Sequence, residues 1–246
     1  MEGNLENMKK WILRIFILLF VLGILTAGFF VYQGYAMYQK ALDTISLKDK
    51  IEKVQAEEDY VQIEDLPIDY KNAVVSVEDH RFYDHGAIDI VAIGRAIITN
   101  IRYLEFREGG STITQQVAKN LYFIAEDTNP ICRKFAEIFM AFDLENNYDK
   151  DEILELYMNT IYFGDGYYGI EEACKGYLEK DAKDMDLFES TMMAGIPNAP
   201  SVYAPTANLD LTFSRQKKVV STMVENEYLT QEEADEVLAQ QADFHH

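Results

Sequence analysis

Residues 108 to 123 read EGGSTITQQVAKNLYF. Two glycines meet a Ser-Thr pair, and a polar helix follows. Gly109 and Gly110 free the backbone for positive φ or for close approach of a ligand. Thr112 is placed to cap the helix, with Gln115 at its third position reaching back. Ile113, Val117 and Leu121 share one face, which reads as core. Gln116 and Lys119 point elsewhere. The start of such a helix, with its hydroxyls and free amides, is a natural anion seat, and a lysine one or two turns on adds charge. The G-x-x-x-x-G-K-[ST] order of a P-loop is absent. Taken alone, the stretch reads more simply as a capped surface helix.

The segments around it are helical as well. Tyr70, Ala73, Val74 and Val77 follow i, i+3, i+4, i+7 spacing. Ile90, Ile93, Ile97 and Ile101 line a second helix. A third is expected to bury Phe135, Ile138 and Phe139, leaving Glu137 on a polar side with Arg133 and Lys134. Asp149 with Glu152, and Thr230 with Glu233, have the form of helix-starting boxes; the first opens EILELYMNTIYF. No stretch shows the sustained period-2 alternation of strands. The 16 tyrosines and 14 phenylalanines suit a well-filled core with aromatic clefts. An all-α domain is therefore expected over residues 66–246.

Upstream, Ile15 to Tyr32 carries no charge, and Trp11 to Leu13 extend the apolar run beyond Arg14. About 20 such residues span a bilayer, so residues 11–32 read as an uncleaved transmembrane anchor. Lys9, Lys10 and Arg14 place residues 1–10 in the cytoplasm and the rest outside. Residues 33–65 read as a stalk or membrane-proximal segment, with Leu47, Ile51, Val54 and Val61 near helical spacing, and Pro67 marks the entry to the domain.

The 246-residue chain holds 22 basic and 42 acidic residues, a net charge of −20. Phosphate backbones require a basic stripe, so nucleic acid is excluded as a bulk partner. Two cysteines, Cys132 and Cys174, are too few for a disulfide scaffold and read as small buried apolar residues.

The stretch VEDHRFYDHGAID runs from Val77 to Asp89. Glu78 and Asp79 fall at a helix C-terminus, whose partial negative charge raises a carboxylate pKa, and each pushes the other the same way. Glu78 so placed suits general-base work. His80 and His85 are five apart, poor spacing for a shared helical metal site.

Together, in this order, EDxxFxxH, GGSTITQQ, RKxxE and EILELYMNTIYFG resemble the family 51 peptidoglycan glycosyltransferases, the glycan-polymerising domains of bifunctional penicillin-binding proteins and their monofunctional relatives. YGIEEACKGYL and MMAGIPNAPSVYAP belong to the same resemblance, which runs from about Leu66 to Tyr203. It implies a lysozyme-like, two-lobed, all-α fold behind the anchor. It also implies an inverting transfer that makes β-1,4 links from lipid II and from the growing glycan on polyprenyl pyrophosphate. Glu78 matches the general base, and Glu137 the second glutamate near the leaving group or its metal, Mg²⁺ or Mn²⁺. Asp79, Phe82 and His85 match the first block. Ser111, Thr112, Gln115, Gln116 and Lys119 match the cleft-lining second block. Arg95, Arg133 and Lys134 match cations that serve the phosphates. Implied partners are the bacterial membrane, a transpeptidase and the cell-wall machinery. Ser214 to Lys217 matches S-x-x-K by chance and no K-T-G occurs, so the monofunctional form is expected.

There are departures. The glycine after His85 comes one residue early, at Gly86, followed by Ala87. Glu126 to Cys132 lacks the usual arginine, Ala136 stands where a polar residue is common, and Glu145-Asn-Asn147 replaces basic residues. The rival readings are a glycan-cleaving enzyme on a related fold, for which GGSTITQQ has no role, and a weakly active or inactive membrane scaffold, which the thinner cation set favours.

Overall fold

The computed structural model describes residues 2–103, 109–124, 128–242 and 244. Glu126 and Asp127 of the arginine-free stretch, and His245 and His246, lie outside them. In chain order the helices are α1 (Glu2–Thr44), α2 (Leu47–Gln55), α3 (Ile68–Glu78), α4 (Ile90–Tyr103), α5 (Ile113–Ala118), α6 (Pro130–Asn147), α7 (Lys150–Thr160), α8 (Ile170–Leu178), α9 (Leu187–Gly195), α10 (Pro200–Tyr203), α11 (Leu209–Glu225) and α12 (Gln231–Ala239). The fold is all-α and fits a lysozyme-like domain behind one long apolar helix. Strand among the described residues is confined to a hairpin, Tyr162–Gly164 with Tyr167–Tyr168. It cuts short the helix expected through Phe163: α7 ends at Thr160, and Gly164, Gly166 and Gly169 take the positive φ values that the turn and the entry to α8 require.

α1 is long and apolar enough to cross a membrane. Its C-terminal part does not stop at a linker but packs along α6. Gly34 makes this possible: a Cβ there would sit 2.4 Å from Phe135 Cβ and 2.8 Å from the Cys132 carbonyl. Tyr35 meets Phe139 edge-on, Tyr38 lies tilted against the same ring, and the Tyr38 hydroxyl donates to Asp143. The apolar side chains of α6 are thus spent partly on α1. Its opposite face, Ala136, Glu137, Met140, Ala141 and Leu144, is the buried one. Glu137 therefore lies on the interior side of α6, opposite to the polar surface expected for it.

The charged stretch after α1 is docked. Leu47, Ile51 and Val54 of α2 are buried. Glu155 of α7 accepts from the Ile63 amide at 2.7 Å and from the Tyr60 hydroxyl. Asn159 exchanges two 2.8 Å bonds with the Val61 backbone. α3 begins after Pro67 and buries Tyr70, Ala73, Val74 and Val75. It packs on α9 and α11. α4 forms as expected, but its isoleucine stripe faces outward: Ile90, Ile97 and Ile101 are 80%, 54% and 68% exposed. The capping boxes expected at Asp149 and at Thr230 form, and Asp186 with Glu189 makes another.

Candidate active site

Glu78 closes α3 with its side chain 11% exposed. Burial pushes its pKa up, and Asp79 adds to this, while the Gln116 hydrogen bond and the Arg215 charge pull it back. The direction is the one read from the helix end, but loss of water is the larger cause. Gln116 Nε2 donates to Glu78 Oε2 at 2.9 Å. The glutamine pair therefore faces two ways: Gln116 turns to the acid, and Gln115 is buried, donating to the Ala87 carbonyl at 3.0 Å.

The cap of α5 is Thr112, whose hydroxyl oxygen accepts from the Gln115 amide at 3.2 Å. The Gln115 side chain does not return to Thr112, so no reciprocal box forms. The Thr112 hydroxyl also donates to Ala87 O at 3.1 Å. Ala87, where the expected glycine is displaced, thus fastens the first block to the second. Ile113, Val117 and Leu121 are buried as read. After α5 the chain widens into a π-helical turn, Lys119–Phe123, on which Lys119 is exposed. Gly110 does not take positive φ; its missing Cβ lets the chain approach α4, where the atom would lie 3.2 Å from Ile93 Cα.

Asp79 is buried and acts as a brace. Oδ1 faces His85 Nε2 at 2.8 Å, and Oδ2 accepts the Ile113 amide at 3.1 Å. Asp89 accepts from Arg81 and from the Val91 and Ala92 amides. Phe82 is fully buried and packs edge-on to His85. Lys150 Nζ lies 4.4 Å over the Phe82 ring and pairs with Glu145 at 2.7 Å. The acidic residue at the usually basic position is thereby neutralised by the next helix. Arg95 Nη1 is 3.4 Å from His80 Nε2; burial, then the Arg95 charge, lowers the pKa of His80.

A second group lies on α6. Lys134 Nζ donates to Ser111 Oγ at 2.9 Å and to Glu137 Oε2 at 3.1 Å, and Arg133 Nε stands 3.5 Å from Glu137 Oε1. Ser111 and Gln116 flank the start of α5, so this short segment touches both glutamate clusters.

Asp79, His85 and Asp89 hold ligand atoms within 4.8 Å of one another, as a metal-binding trio would. Their hydrogen bonding suits an ion poorly. The four carboxylate oxygens already accept N–H donors. Both ring nitrogens of His85 face oxygens, Gly86 O at 2.6 Å and Asp79 at 2.8 Å, so neither points to an open coordination position. At Glu137 the two oxygens already face Arg133 and Lys134.

Sequence reasoning missed Arg215 of α11, whose Nη2 is 3.8 Å from Glu78 Oε1. Only the chance S-x-x-K match drew notice to that segment.

Residues 46–224 match the transglycosylase family. Penicillin-binding protein 1A of Neisseria lactamica is 40% identical over 186 residues, 76% of this chain and 23% of that protein. Penicillin-binding protein 1F of Bacillus subtilis (strain 168) is 40% identical over 174 residues, 71% of this chain and 24% of that protein. The chain spans about a quarter of the length of these curated relatives. The crystal structure of penicillin-binding protein 1A from Haemophilus influenzae aligns with 51% of this chain and 15% of its own, at 28% identity and a TM-score of 0.35.

Proposed function

The chain belongs to the transglycosylase family, and on that premise we propose that it polymerises lipid II into linear glycan strands by inverting glycosyl transfer, releasing polyprenyl pyrophosphate. The observation that carries this reading is Glu78: a buried carboxylate of raised pKa, hydrogen-bonded by the glutamine that follows the Gly-Gly-Ser-Thr entry. Burial lifts its basicity toward the range where a general base works near neutral pH, a contribution of about 10² to 10⁴ in rate. Glu78 takes the proton of the acceptor 4-hydroxyl as that oxygen attacks the donor's anomeric carbon and the bond to pyrophosphate breaks. Arg133 and Lys134 stabilise the departing charge, and Glu137 holds both cations in place. Gln116 and Asp79 keep the base and the start of α5 in register, Thr112 and Gln115 fasten that start to the Ala87 carbonyl, and the exposed Lys119 meets the substrate.

α1 crosses the bacterial membrane with its N-terminus in the cytoplasm, by the basic residues before the span. The exposed isoleucines of α4 and the apolar groove of about 540 Å³ between α1 and α6, lined by Leu22, Phe30, Ile131 and Phe135 among others, suit a lipid-borne substrate. The glycan passes to a transpeptidase of the cell-wall machinery.

The test is polymerisation of labelled lipid II by the purified full chain in detergent, beside Glu78→Gln. Long glycan from the wild type and none from the variant is the expected result. Glycan from both would remove Glu78 from the mechanism. Lipid II binding without product from either would favour a non-catalytic scaffold.

A further inference from the structure

The block MMAGIPNAPSVYAP, Met192 to Pro205, has no part in the chemistry so far. Its geometry gives it one. Arg215 reaches from α11 toward the end of α3 with its side chain 15% exposed. Its Cγ passes over Gly195, where a Cβ would lie only 3.0 Å away. Its Nε donates to the Gly195 carbonyl at 3.4 Å, and its guanidinium stands 5.9 Å over the Tyr203 ring. The free edge of the guanidinium faces Glu78 Oε1 at 3.8 Å, the carboxylate oxygen that Gln116 does not touch and that has no hydrogen-bond partner among the described residues.

We propose that Arg215 is a positioning residue for Glu78, and that Gly195 and Tyr203 exist in this block to hold it there. The proposal rests on the reading of Glu78 as the base. Oε2 is fixed by Gln116 from α5, and Oε1 is drawn by the Arg215 charge from α11, so the carboxylate is oriented between two elements.

At 3.8 Å the contact is an ion pair and not a hydrogen bond. It leaves Oε1, a buried oxygen, without a directional bond among the described residues, so the Arg215 charge is what holds its orientation. The other ionisable groups acting on this carboxylate are Asp79, beside it in the chain, and Tyr70 of α3 and Tyr157 of α7. Both tyrosines are fully buried with their pKa pushed well up by burial, so they stay neutral. Asp79 opposes ionisation, which leaves Arg215 as the nearby cation that favours it. Without Arg215, burial would hold a larger share of Glu78 in the protonated form, which cannot accept a proton.

The experiment follows the Glu78 carboxyl directly. Full-length protein in detergent, labelled with ¹³C at glutamate carboxyls, is titrated by NMR, and the Glu78 signal is identified by its loss in Glu78→Gln. In Arg215→Gln the Glu78 titration should move up by about one pH unit, the scale of an opposite charge at this range. Arg215→Lys, which keeps the charge, should move it less. The acid limb of the rate of lipid II polymerisation should shift in the same direction. A folded Arg215→Gln protein whose Glu78 titrates as in the wild type overturns the proposal. If Arg215→Gln does not fold, Tyr203→Leu loosens the holder and leaves the arginine in place; a smaller upward shift supports the proposal and none overturns it. Glycan synthesis by Glu78→Gln would instead sink the base reading, and with it the catalytic purpose of Arg215, while the NMR shift would still test the pairing.

Discussion

Gln116 on α5 donates its side-chain amide to Glu78 at the end of α3, 2.9 Å across a sequence separation of 38 residues. This bond favours the ionised carboxylate against the burial that disfavours it. Replacing Gln116 with Leu removes a hydrogen bond to a charged group, worth about 1.5–3 kcal/mol. Lipid II polymerisation on the acid side of the optimum should fall about tenfold or more, with the acid limb displaced to higher pH. A rate profile that keeps its wild-type acid limb would show that Gln116 serves only packing.

Glu78 should also cost the protein stability. Its folded pKa is raised above its unfolded value, so the native state binds the extra proton and is favoured below the ordinary carboxylate range. That advantage is lost as pH rises through the folded value. Glu78→Gln, neutral at every pH, should therefore melt higher than the wild type at neutral pH and at nearly the same temperature in acid. Scanning calorimetry of both proteins across that window checks the sign.

Asp89 behaves in the opposite way. Burial works against its ionisation, yet Arg81 and the Ala92 amide outweigh it and hold the carboxyl at about 2. Its stabilising contribution is complete above the unfolded value near 3.8 and lost as pH falls through about 2. Asp89→Asn removes a charged acceptor from Arg81 and from the Ala92 amide; because the Arg81 side chain is 31% exposed and can turn to water, the domain should lose only about 1–2 kcal/mol at neutral pH. Denaturant unfolding at neutral pH and again in strong acid should show the difference shrinking.

Gly34→Ala tests the seam between α1 and α6. The new methyl would overlap Phe135 Cβ at 2.4 Å, so the helices must separate. A loss of about 1–3 kcal/mol is expected from such overpacking. Because α6 carries Arg133, Lys134 and Glu137, glycan synthesis should fall as well. Melting temperature and initial rate measure both losses, and adding Phe135→Ala should not restore them, because alanine keeps the Cβ that the new methyl overlaps.

Helix positions and caps were legible in the chain because they are local: Thr112, Asp149 and Thr230 need only neighbours three residues on. Glu78 was legible as a helix-end acid in a motif. Which way Glu137 faces was not, because α6 spends Phe135 and Phe139 on α1, a partner about a hundred residues away that no periodicity reveals. The isoleucine stripe of α4 shows the same limit: apolar spacing marks a helix face but does not say what covers it. Arg215 was hidden for a related reason. Its partners Gly195, Tyr203 and Glu78 come from three elements, and nothing in SRQKK announces them.

α1 runs unbroken from Glu2 to Thr44 and is seamed to α6 along its C-terminal turns. A span seated in a bilayer answers a change in hydrocarbon thickness by tilting. With no joint between strut and α6, a tilt of the span becomes a tilt of Glu137, Arg133 and Lys134 against the plane of the lipids. The enzyme proposed here is thus mounted as a lever, and vesicles of shorter or longer acyl chains at constant headgroup should change its rate where detergent micelles, which impose no plane, do not.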